Sequence, residues 1–144
     1  MNQKVYLTNI LYRYGMGDCK PRITPCETNL KPYDEEQQNK INSDKLYYEM
    51  VGSLVYAMIC TRPDLSFVVT KLSQNLSKPN NRDWTMLKHV FRYKKGTLDY
   101  SLTFRKTQQS IDLKAFCDAD WGASCDDQKS ITGYCIIFTR VDQS

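Results

Sequence analysis

An α+β fold is predicted for this chain: a small helical bundle followed by an antiparallel β-sheet of few strands. Two patterns carry the prediction. From Asn2 to Lys95, apolar residues recur every three or four positions, the period of a helix with one face inward. From Tyr100 to Phe138 they alternate with polar residues or run together in short β-branched and aromatic stretches, the habit of strands. The 144 residues, 41% hydrophobic and 25% charged, are enough for one modest domain with a buried core.

The first helix is expected between Asn2 and Tyr14, with Tyr6, Leu7, Ile10, Leu11 and Tyr14 on one side and Gly15 as its C-terminal cap. Residues 17–43 carry Pro21, Pro25, Pro32 and several asparagines with few large apolar side chains, and read as an irregular linker. The second helix runs from Asp44 to Cys60, capped by Ser43 or Asp44. Leu46 or Tyr47, Met50, Val51, Leu54, Val55 and Met58 form its broad apolar face. Its Gly52 and Ser53 would admit a close neighbour. Thr61-Arg62-Pro63-Asp64 breaks this helix and starts the next, with Pro63 in the first turn and Asp64 at the positive end of the dipole. Leu65, Val68, Val69, Leu72 and Leu76 supply its apolar stripe. A further helix runs from Asn81 to Lys95, capped by Asn80 or Asn81, with Trp84, Leu87, Val90 and Phe91 inward and Gly96 at its end. Trp84, at helical spacing among aliphatic residues, is read as core and not as a base-stacking platform.

The formal net charge of +4 is concentrated between Lys78 and Lys106, where eight Lys or Arg face two Asp. Lys88, Arg92 and Lys95 recur at i, i+4 and i+7, hence on one helix face. Such a stripe is either an ordinary solvated face or a contact for the phosphates of a duplex. His89, with no acid or nucleophile spaced to orient it, is read as structural. The six cysteines form no Cys-x-x-Cys pair, which argues against a zinc site of the usual spacing. No secretory core follows Met1, so the thiols are expected to be reduced in an intracellular protein, and no apolar run approaches membrane-spanning length.

Tyr100, Leu102 and Phe104 alternate with polar residues as in a half-buried strand. Two more strands follow, Ile111 to Cys117 and Ser130 to Phe138, joined by a polar turn. Gly133 marks a bulge or a close approach. The first of these strands ends in Asp118 and Asp120, which period-two geometry puts on the same side. Two such carboxylates suit either a solvated turn or a divalent metal held by hard oxygen ligands. The edge of a sheet this small, with Ile136, Ile137 and Phe138 along it, invites self-association.

Several motifs together resemble the Pol polyproteins of copia-type (Pseudoviridae) retrotransposons: Met16-Gly17-Asp18-Cys19-Lys20-Pro21 with Thr24-Pro25, Met50-Val51-Gly52-Ser53-Leu54-Val55-Tyr56, Cys60-Thr61-Arg62-Pro63-Asp64-Leu65, Arg92-Tyr93-Lys94-Lys95-Gly96-Thr97, and Phe116-Cys117-Asp118-Ala119-Asp120-Trp121 followed by Lys129-Ser130-Ile131-Thr132-Gly133-Tyr134. They occur in the family's order over nearly the whole chain. The resemblance implies that residues 1–16 end a reverse transcriptase domain, 17–43 form a linker and 44–97 a helical connection. Residues 98–144 would then be the truncated start of an incomplete ribonuclease H-like sheet. By motif position Asp118 matches the first ribonuclease H carboxylate, a ligand of catalytic Mg2+, and Asp120 a recurring polar position two residues on. The family's remaining acids lie beyond Ser144 and the polymerase aspartates before Met1, so the chain alone is expected to be inactive. Asp126-Asp127 reads as a plain turn.

The implied partner is an RNA/DNA duplex or template–primer, contacted through Lys88, Arg92 and Lys95. The implied location is the cytoplasm, within a virus-like particle, or the nucleus. The family usually has leucine at Lys94, Ala-Gly at Gly122-Ala123 and arginine at Gln128. The alkyl stem of Lys94 would have to carry its charge to solvent. Three readings follow: an inactive polyprotein segment, a retained nucleic-acid-binding module, or a protein-association module using the strand edge.

Overall fold

Helix periodicity and capping chemistry set the first hundred residues. The computed structural model describes residues 1–27, 44–104, 111–120 and 131–140. Four α-helices lie among them: α1 (Lys4–Arg13), α2 (Asp44–Cys60), α3 (Ser66–Gln74) and α4 (Asn81–Gly96). A 3-10 turn, Pro63–Leu65, leads into α3. Two antiparallel strands follow, β1 (Ile111–Asp120) and β2 (Ile131–Arg140). The architecture is therefore α+β. Two units are distinguished, Met1–Thr103 and Phe104–Ser144.

In the helical unit, α1 ends as its sequence predicts. Gly15 takes a positive φ of 66°, its N–H bonds to the Tyr12 carbonyl and the Met16 N–H to the Leu11 carbonyl, which together satisfy two of the free carbonyls at the helix end. At the start of α4 the Asn80 side chain accepts from the Asp83 N–H while the Asp83 carboxylate accepts from the Asn80 N–H. This reciprocal cap stabilises a helix by about 1 kcal/mol. Asp83 also accepts from Asn75 Nδ2, at the end of α3, so the cap ties two helices together.

The inward faces meet in one core. Leu7, Ile10 and Leu11 of α1 pack with Tyr47, Met50, Val51, Leu54 and Ala57 of α2, with Leu65, Val68, Val69 and Leu72, and with Trp84, Leu87, Val90, Phe91 and Tyr93 of α4. Trp84 is core, edge-on to Tyr47 at 5.5 Å between ring centroids. Burial raises the pKa of the Tyr47 phenol, whose hydroxyl donates to the Leu72 carbonyl. Leu46, one of two candidates for the first inward position of α2, is exposed and Tyr47 is buried in its place. No neighbour approaches Gly52, and the space in front of it is open.

Two expectations fail here. Tyr100, Leu102 and Phe104 form no strand, and Tyr100 and Phe104 are exposed. Leu102 exchanges backbone hydrogen bonds with Met1, and the Tyr100 N–H bonds to the Thr97 carbonyl in a turn. Alternation alone did not create a strand: among the described residues of Met1–Thr103 there is no β-strand for Tyr100 and Leu102 to pair with. Lys94 does not carry its amine to solvent: the side chain is 0% exposed and, among the described residues, Nζ has no hydrogen-bond partner. It points into the core because α4 turns the face of Val90, Phe91, Tyr93 and Lys94 inward as a unit.

In the second unit β1 and β2 pair without interruption from Ile111↔Arg140 to Asp120↔Ile131. Asp118 lies opposite Gly133 in regular register, so Gly133 makes no bulge. Leu113, Ala115 and Cys117 share one face with Tyr134 and Ile136, and the described side chains of that face are exposed. The ten residues connecting the strands, with Asp126-Asp127, Gly122-Ala123 and Gln128, lie outside the described residues, as do Ser43 and the remainder of the 17–43 segment after Glu27.

Burial lowers the Lys94 pKa to about 7, and the neighbouring Arg62 charge pushes the same way. The unfolded chain therefore binds a proton between about pH 7 and the ordinary lysine range that the folded chain does not. The destabilisation due to Lys94 is greatest at and below pH 7 and is relieved as pH rises through that window, by as much as tenfold in the folding equilibrium per pH unit. Lys94→Leu is expected to raise stability at pH 7 by on the order of 2 kcal/mol and to flatten the rise between pH 7 and 10. Thermal melts of both proteins at pH 7, 8.5 and 10 measure both effects, and parallel pH profiles for the two proteins would contradict the assignment.

Candidate functional site

The Thr61-Arg62-Pro63-Asp64 motif builds a buried polar centre. Residues Thr61 and Arg62 leave α2 with their N–H groups on the Ala57 carbonyl, which turns the Arg62 side chain inward. Its guanidinium, 1% exposed, donates from Nε and Nη2 to the two Asp64 oxygens at 3.0 and 2.8 Å. It also donates to the Thr97 carbonyl and to Thr97 Oγ1, at the C-terminal end of α4, at 3.0 and 2.7 Å. Tyr93 donates its hydroxyl to Asp64, and the rings of Tyr93 and Tyr100 flank the guanidinium at 5.4 and 5.3 Å. Burial alone would raise the Asp64 pKa, but the hydrogen bonds from Arg62 and Tyr93 and the guanidinium charge outweigh it and hold the carboxyl below its usual range. The motif is a clasp between helices.

The basic face of α4 is not bare. Residues 17–27, expected to be linker, run along it as a strap. Lys95 Nζ donates to the Gly17 carbonyl, Arg92 Nε to the Lys20 carbonyl at 2.8 Å, and the Arg22 N–H to the Arg92 carbonyl at 3.1 Å. His89 Nε2 lies 2.9 Å from the Thr24 carbonyl, and its Nδ1 lies 3.6 Å from Glu27. His89 is structural, as expected. Of the three residues in the predicted stripe, Lys88 is exposed, while Arg92 and Lys95 are half-buried beneath the strap. Sequence reasoning missed the strap because its contacts are made by backbone carbonyls, which any residue supplies. The detectable signal was glycine: a Cβ on Gly96 would stand 2.8 Å from the Arg22 carbonyl oxygen and 3.2 Å from Pro21 Cβ, and one on Gly17 would stand 2.9 Å from the Tyr12 ring.

Asp118 is exposed on β1. Asp120 occupies the register position two residues on, opposite Ile131, so the backbone places the pair on one side as period two requires. Among the described residues no group of three or more His, Cys, Asp or Glu is gathered to hold a metal ion. No chemical step is assigned to Mg2+ at this position. No helix among the described residues is long and apolar enough to cross a membrane.

The chain is 36% identical over 135 residues, 94% of its length, to an uncharacterized mitochondrial protein of Arabidopsis thaliana, of which it spans 55%. It is 36% identical over 146 residues to the retrovirus-related Pol polyprotein from transposon TNT 1-94 of Nicotiana tabacum, and 38% identical over 136 residues to that from transposon RE2 of Arabidopsis thaliana. Those matches cover 96% and 94% of this chain but 11% and 9% of the polyproteins. No protein-family model and no solved structure matches. The chain belongs to the copia-type retrotransposon Pol polyproteins, and it spans about a tenth of the polyproteins it matches.

Gly96→Ala is expected to lift the strap from α4, because the nearest obstacle is the Arg22 carbonyl, a backbone group that cannot rotate away. The cost is on the order of 1–3 kcal/mol. Limited trypsin digestion should cut after Arg22 faster in the variant than in the parent; equal rates would show that the close approach is not sustained in solution.

Proposed function

We propose that this chain is the segment of a copia-type Pol polyprotein that joins the end of the reverse transcriptase to the first two strands of the ribonuclease H domain, and that it is catalytically incomplete by itself. The colinear match along 94–96% of the chain to polyproteins of which it forms about a tenth carries this reading. The α+β order, helices first and a hairpin second, is consistent with it. Within the segment, Asp118 is the first ribonuclease H carboxylate and Asp120 its neighbour. In the whole polyprotein they would contribute to a Mg2+ site that other acids complete.

The helical part of the segment is a duplex-contacting connection. Lys88, Arg92 and Lys95 lie on one side of α4 and, among the described residues, none has a carboxylate within 4.0 Å. Such a surface contributes salt-dependent affinity for the phosphates of an RNA/DNA template–primer without reading its sequence. The purified chain should show no cleavage of an RNA/DNA hybrid in Mg2+ or Mn2+. Hybrid cleavage that Asp118→Asn abolishes would show a complete catalytic centre and overturn the reading.

A second reading, association through the sheet, is favoured by one observation. Leu113 and Phe116 on β1 and Tyr134, Ile136 and Ile137 on β2 are 42–79% exposed, on both faces of a two-stranded sheet. A lone hairpin is marginal in water, and its open edges are templates for further strands. The isolated chain should therefore form concentration-dependent oligomers in sedimentation velocity, reduced by Ile136→Lys. A monomer at all concentrations would remove this reading.

A further inference from the structure

The strap changes what the basic surface is made of. Its backbone between Lys20 and Arg22 is held against α4 by two hydrogen bonds to Arg92, while the intervening Pro21 lies close to Gly96. Lys20 and Arg22, on either side of Pro21, are exposed. Arg92 spends only Nε on the Lys20 carbonyl. Among the described residues its two Nη groups have no hydrogen bond, and Lys95 has given only one of three donors, to Gly17. The strap carbonyls thus orient two cations without neutralising them, and the strap adds two more. Among the described residues no carboxylate lies within 4.0 Å of Lys20, Arg22, Lys88, Arg92 or Lys95. The strap's own acids do not offset them: Asp18 is exposed and unpaired among the described residues, and Glu27 faces His89. Five uncompensated cations from two segments more than sixty residues apart in sequence are an uncommon concentration for a chain of net charge only +4.

We propose that the phosphate-binding surface is composite: Lys20 and Arg22 of the strap and the Nη fork of Arg92 engage the sugar–phosphate backbone of a duplex, flanked by Lys88 and Lys95. A planar guanidinium fixed through Nε presents its two Nη groups as a fork matched to a phosphate, which a freely rotating lysine does not. This rests on the duplex-contact reading above and extends it to two residues of a segment that reads as linker. It assigns the strap the role of a binding element, with Gly96 as the position that lets it seat on α4.

Fluorescence anisotropy of a labelled RNA/DNA hybrid against the full chain, at 50, 100 and 200 mM salt, tests it. Lys20→Ala with Arg22→Ala is expected to weaken binding roughly tenfold and to lower the salt slope by about 2, close to 0.9 for each phosphate no longer neutralised. Its melting temperature should match the parent's, since both side chains are exposed. Lys20→Glu with Arg22→Glu should weaken binding further. Wild-type affinity and slope in both double variants, with weaker binding in Lys88→Ala, would overturn the composite surface and leave the α4 face standing. No binding by the parent chain at 50 mM salt would overturn both. Tighter binding to vesicles of 30% phosphatidylserine than to the hybrid would replace the nucleic acid by a lipid surface and overturn the assignment of partner.

Discussion

The helical unit depends on one buried guanidinium. Arg62 is almost wholly removed from water, and such a charge is tolerable only if its donors are met. Asp64 takes two of them in a bidentate pair, and Thr97 takes two more through its carbonyl and hydroxyl. Because Thr97 closes α4 and Arg62 closes α2, these bonds lock the ends of the two longest helices together. The same bonds satisfy a carbonyl that the end of a helix otherwise leaves open. Thr61, next in sequence, reaches Gln3 at the start of α1, so the turn after α2 is the point where three helices are joined.

Lys94 works against this centre. It is buried near a cation and, among the described residues, without a partner of its own. A neutral amine is the cheaper state there, and the fold carries a cost at neutral pH that an apolar residue would not impose. A segment that keeps its capping box, its Schellman end and its clasp while accepting such a residue has stability to spare elsewhere in the core, or is under weak constraint at this position.

The two halves of the chain differ in how far they complete themselves. The helices bury their apolar faces against one another, with eighteen buried hydrophobic residues in one cluster. The hairpin has a full backbone ladder between its strands but exposed apolar side chains on both faces, which is the condition of a sheet meant to meet further elements.

Local order is what the sequence by itself determined. The helices, the Gly15 and Asn80 caps, the core positions of α2 to α4, and two strands with Asp118 and Asp120 on one side all follow from period and capping chemistry local to each element. The family motifs, read in order, were enough to place the chain among copia-type polyproteins. Only the tertiary structure decided the burial of Lys94, the loss of the strand at Tyr100–Phe104, and the seating of residues 17–27 on α4. Each turns on contacts between segments far apart in the chain. A carbonyl that accepts from Arg92 or Lys95 leaves no trace in residue identity, and a lysine's amphipathic side chain suits surface or core until its helix is turned. The glycine at 96 was visible from the start, but what it makes room for is defined only when two distant backbones meet.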